Sequence, residues 1–146
     1  MDKRGQALIE FAIVILLLFL LVFGIFQFGW LMYIKNTLNN AARAGVRQAV
    51  VTLTLNDLDY ADFATRDGSD LIQQKLYDSL SYIDKSNVSA QVRVTDASNN
   101  TDNPAKSSDT VKITITLSSV PSFVPGFINL TNTLPTLIGR ASMRYE

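Results

Sequence analysis

The chain has no cysteine and no histidine among its 146 residues. The first absence excludes disulfides and thiolate metal sites. The second removes the commonest general base and the commonest metal-ligating side chain. An excess of either charge is also missing, because thirteen lysines and arginines balance thirteen aspartates and glutamates. No broad basic footprint for nucleic acid follows from that balance. No internal repeat, phosphate-binding glycine loop or nucleophile motif is present. An enzyme built on this chain would need carboxylate or lysine chemistry, and no paired carboxylates converge in the sequence. The reading is therefore non-enzymatic, with no cofactor and no metal.

What the chain does have is one long apolar run. Lys3 and Arg4 form a short basic head, Gly5 follows, and Glu10 is the last charge before Phe11. From Phe11 to Ile34 no residue is charged, about 24 positions, where roughly 20 suffice for a helix to cross a bilayer core. A helix satisfies its own backbone polar groups, so such a run is stable in lipid. Trp30 and Tyr33 stand at its far end, where amphipathic rings favour the headgroup region. Gln27, in the outer part, is placed to bond a neighbouring helix. A cleaved secretory signal fits poorly, since its apolar core is usually about 7–15 residues. Basic residues flank the run almost evenly, with Lys35, Arg43 and Arg47 beyond it. The short basic head favours a cytoplasmic amino terminus.

Glu10 at the mouth of an apolar helix is costly unless paired or close to the interface. Cleavage after Gly5 would put a new amino group on Gln6, four residues before Glu10 and on the same helical face. That amine and the Glu10 of a neighbouring subunit would offset the burial of each other's charge.

These residues carry a resemblance. Gly5, Glu10 and the apolar helix resemble the processing site of type IV prepilins. Arg4 to Ala12, Phe23 to Gly29 and Asn40 to Arg47, with Arg140 to Glu146 at the end, resemble the TadE-like pseudopilins of the tight-adherence pilus system. Gln27 stands where an acidic residue is common in that family, and Trp30 where a basic one is common. The resemblance implies a minor pilin-like membrane subunit that assists assembly or priming of a pilus and supports surface attachment. Its implied partners are prepilin peptidase, other pilin-like subunits and the assembly platform in the membrane. The implied processing residues are Gly5, Gln6 and Glu10; Glu10 and Gln27 are the expected assembly residues. The implied location is the bacterial inner membrane, single-pass, with the carboxy-terminal part extracytoplasmic. An unprocessed, membrane-anchored binding module is the alternative.

Past Ile34 the stripe Leu38, Ala41, Ala42, Gly45, Val46 and Ala49 keeps helical spacing, so the helix is expected to run on to about Val50. A spine from Gln6 to Val50 would be roughly 65 Å long. Gly45 is expected to admit another backbone at close range. The stripe covers its own domain's core on this reading. Residues Asp57 to Asp70 hold several carboxylates, which raises a Ca²⁺ site, but the EF-hand pattern fails and a solvated acidic loop is expected. Asp70 and Gln73 suit a capping box before an amphipathic helix reaching about Ile83. Val88 to Thr95 and Val111 to Ser118 alternate apolar and polar residues as half-buried strands, joined by the Asp96 to Asp109 hairpin loop. Phe123 to Leu130, punctuated by proline, reads as an irregular apolar cover. A last strand from about Thr136 puts Leu137, Gly139, Ala141, Met143 and Tyr145 on one face. The expected fold is α+β, with a membrane helix, a second helix and an antiparallel sheet of about three strands. Residues 1–5 form the head, 6–35 the span and 36–146 the domain.

Overall fold

In the computed structural model, residues 3–51, 58–60, 70–80, 83–95, 106, 108–119 and 136–145 are described. The long helix α1 runs without a break from Lys3 to Val50. Helix α2 spans Leu71–Ser79, and a 3₁₀ turn covers Lys85–Asn87. Strands β1 (Leu58–Tyr60), β2 (Val88–Thr95), β3 (Thr110–Leu117) and β4 (Leu137–Arg144) form one antiparallel sheet in chain order. The three long strands are those read from alternation. β1 is an addition within the stretch read as an acidic loop. Leu58 and Tyr60 pair with Val92 and Ala90, so both face the core side of the sheet.

The core lies between one face of that sheet and the second half of α1. Leu38, Ala41, Ala42, Val46 and Ala49 are all fully buried. They pack against β3, β4 and α2 and share one buried cluster with inward residues of the sheet, among them Val92, Ile113 and Ile115. The stripe therefore covers the domain's own core. The same helix changes solvent halfway along. Residues Leu8 to Phe28 are largely exposed, while Ile34 is 1% exposed and Trp30 and Leu31 pack against the core. The apolar run from Phe11 to Ile34 thus serves two environments, and its last turn belongs to the folded domain.

Two glycines mark close approaches, and only one is of the expected kind. A Cβ on Gly45 would lie 2.5 Å from the Leu76 Cδ2, so the space over that glycine is filled by an α2 side chain, not by a backbone. A Cβ on Gly139 would lie 2.6 Å from the carbonyl carbon and oxygen of Leu38. The backbone contact is therefore between α1 and β4. Alongside it, the Lys35 ammonium donates to the Ile138 carbonyl and Arg140 N–H donates to Asn39 Oδ1 at 3.4 Å. Four helix residues advance about 6 Å and two strand residues about 6.6 Å, so β4 runs nearly along α1. These bonds also cover part of β4's outer edge, which would otherwise present unpaired main-chain groups.

α2 starts where the sequence indicated and stops earlier. Asp70 caps it, accepting from Ile72 N at 2.8 Å and Gln73 N at 3.1 Å. Its other oxygen accepts from the Tyr60 hydroxyl at 2.5 Å, tying β1 to the helix start. The helix ends at Ser79, with Leu80 and Ile83 buried beyond it. Leu80 N–H bonds back to Leu76 and Tyr77 carbonyls, and Ile83 N–H to the Leu80 carbonyl, so the apolar spacing continues as turns. At the far end of β4, Met143 is 44% exposed although its strand position faces inward, while Tyr145 is buried. Most of the Asp96 to Asp109 hairpin loop and all of the Phe123 to Leu130 cover lie outside the described residues.

Candidate processing and assembly segment

The amino-terminal turns of α1 hold Gly5, Gln6 and Glu10. All three are exposed, and no atom lies within 4 Å of where a Gly5 side chain would start. Gly5 and Gln6 sit in the first turns of α1, and helix ends leave N–H groups without intrahelical acceptors. Opening the backbone there breaks few hydrogen bonds, and glycine adds conformational freedom. Gln6 Nε2 donates to Glu10 Oε1 at 3.1 Å. The four-residue spacing therefore does put residues 6 and 10 on one face.

Gln27 is half-buried and lies three residues before Trp30. The Trp30 and Tyr33 rings stack with centroids 5.6 Å apart and planes at 25°. With Ile25, Phe26 and Gly29 they line a shallow apolar concavity on the helix. Glu10 and Gln27 are seventeen residues apart in the helix, roughly 25 Å along its axis, so one subunit does not bring them together. Among the described residues no group of three or more carboxylates could hold a metal ion. Of the Asp57 to Asp70 stretch, Asp70 is engaged as the α2 cap.

From Gly5 onward α1 is long and apolar enough to cross a membrane, and its most apolar stretch is unburied by the rest of the chain. One such helix fits a single-pass anchor. Sequence reasoning missed the β4 attachments, because Lys35 and Asn39 read only as polar positions on a helix until the strand lay beside them.

No curated protein and no solved structure matches the chain. The family model described as TadE-like protein matches residues 5–47, which cover the exposed helix, the Trp30 and Tyr33 pair and most of the buried stripe. By that match residues 5–47 of the chain are similar to the TadE-like protein family.

Proposed function

We propose that this protein is a minor pilin-like subunit, cut after Gly5 by a prepilin peptidase and anchored by α1 in the bacterial inner membrane. It assists assembly or priming of a tight-adherence pilus, with its domain outside the cytoplasm. The observation that carries the reading is one uninterrupted helix that holds Gly5 and Glu10 at its start and the folded domain at its end. The helix geometry supports the depth. Glu10 and Trp30 are twenty residues apart, about 30 Å along the axis, the thickness of a hydrocarbon core. With Trp30 and Tyr33 at the outer headgroups, Glu10 sits at the inner interface and its charge remains solvated. Drawing the helix into a bundle of subunits would take Glu10 out of water, and the Gln6 amine of a neighbour would then compensate it.

Intact-mass measurement of protein from the native membrane tests the cut. The mature chain should begin at Gln6, and Gly5→Val should leave the precursor whole. Mature protein that retains Met1 to Arg4 would instead favour an unprocessed, membrane-anchored binding module.

A further inference from the structure

The charge on this chain is balanced in number but not in placement. The face of the sheet turned away from α1 displays alternate residues of β2, β3 and β4. By register these are residues 89, 91, 93 and 95, then 110, 112, 114 and 116, then 138, 140, 142 and 144. Arg93, Lys112, Arg140 and Arg144 are among them, and no carboxylate is. Asp59, on β1, stands only at the far edge, at the register of Gln91. Lys112, Arg140 and Arg144 are exposed, and among the described residues their side chains make no ion pair. Lys112 stands directly opposite Arg93, although like charges in that relation are unfavourable in a sheet. Arg140 and Arg144 lie about 13 Å apart along β4 and flank the Lys112 register position. Lys112 lies within about one screening length, about 8 Å at physiological salt, of Arg93 across the pair and of Arg140 and Arg144 on the neighbouring strand, so it links the otherwise separate charges. Hydroxyl and amide side chains such as Gln91 and Ser142 fill most of the remaining positions.

We infer that this sheet face binds an extended acidic polysaccharide, with the exposed Lys112, Arg140 and Arg144 meeting its carboxylates and the hydroxyl and amide side chains meeting its sugar hydroxyls. The Arg93 guanidinium donates to the Leu58 and Val92 carbonyls and adds only its field. Charge complementarity points to a polyanion. Protein interfaces also favour arginine, but the aromatic and apolar anchors at their centre are missing from this face. Only Ile138 among the outward positions is apolar, and it is half-buried. The bilayer's own headgroups are a poor fit too. β4 runs nearly along α1, so in a membrane-spanning subunit this face stands upright, lateral to the lipid surface. The inference goes beyond the pilus-subunit reading and does not depend on cleavage at Gly5.

The test uses the full chain in phosphatidylcholine nanodiscs, with alginate as the probe and dextran and duplex DNA as comparison polymers. Alginate should bind, weaken steeply with added salt, and exceed dextran and DNA by at least about tenfold. Lys112→Glu puts an opposite charge across from Arg93, so its thermal melt should match or exceed wild type while alginate affinity falls at least about tenfold. The Arg140→Gln/Arg144→Gln pair should lose affinity similarly and gives an independent reading should Lys112→Glu melt early. Arg43→Gln/Arg47→Gln, on α1, should bind as wild type does. Absence of alginate binding, equal binding by the sheet variants, equal loss in the α1 control, or DNA bound as tightly as alginate would each overturn the inference.

Discussion

Single residues in this protein differ in what holds them. Gly139 is constrained by backbone, since a Cβ would strike the Leu38 carbonyl at 2.6 Å and neither main chain can step aside without moving α1 or β4. Gly139→Ala should therefore destabilise the domain by about 3 kcal/mol, the upper end of ordinary overpacking. Gly45→Ala meets only the end of the Leu76 side chain, which can change rotamer, so it should cost clearly less. Thermal melts of both variants decide the order, and a Gly45→Ala that proves the worse would contradict it. On the proposed function, Glu10 would be governed by its surroundings in an assembly of subunits. Glu10→Ala should leave cleavage and insertion intact but reduce crosslinking between mature subunits, with Glu10→Asp intermediate. Removing one partner of a buried pair typically costs about 3–5 kcal/mol, against about 0–1 for an exposed one. Equal crosslinking in wild type and both variants, at matched membrane levels, would leave Glu10 as a boundary residue.

At the scale of elements, α2 is short and depends on its start. Asp70 serves two donors of the helix and the Tyr60 hydroxyl of β1. Asp70→Ala should cost about 1–2 kcal/mol as a lost cap and should also release β1, visible as faster amide exchange at Leu58 to Tyr60. Asp70→Asn keeps the capping oxygen and should recover most of the stability. The 3₁₀ turn before β2 gives a pH effect. The Ser86 hydroxyl, followed by its backbone N–H, donates to the Asp84 carboxylate and lowers its pKa below the usual aspartate value. A depressed folded pKa means the turn is favoured above the unfolded aspartate range and loses that preference as pH falls through the folded value. Ser86→Ala should raise the Asp84 pKa toward the ordinary value in an NMR titration. The group is fully exposed, so the effect belongs to the local turn.

For the molecule as a whole, the joint between span and domain is the feature with most consequence. Ile34 is a core residue and Trp30 leans on the core, so the folded core draws on residues ahead of the expected border at residue 36. A fragment starting at Phe28 should melt cooperatively. One starting at Asn36 lacks Ile34 and should melt at a distinctly lower temperature, since losing a buried aliphatic side chain costs about 2–5 kcal/mol. Equal melts would return the border to residue 36. Because α1 carries no break between span and domain, the height of the domain over the bilayer is set by the helix itself. Trp30 is the single tryptophan. In bilayers with brominated lipids, its fluorescence should be quenched most by bromines high on the acyl chains, and strongest quenching by deep bromines would place the joint elsewhere.

Much of this was legible from residue order, because local spacing encodes it. The uncharged run, the helical stripe from Leu38 to Ala49, the alternation in β2 and β3 and the cap at Asp70 each state which face of an element is apolar. The TadE-like segment was likewise readable, since its marks lie within one continuous helix. What only the tertiary structure decided were relations between distant segments. β1 is too short to show a period and exists through pairing with β2. Gly139 is explained by Leu38, a hundred and one residues away, and Lys35 and Asn39 by the strand edge they cover. Trp30 and Tyr33 marked the far end of the run, but that Leu31 and Ile34 pack into the domain had no mark in composition, because lipid and a protein core select the same apolar side chains. Only the packing of Trp30, Leu31 and Ile34 against the sheet separates the two solvents of one helix.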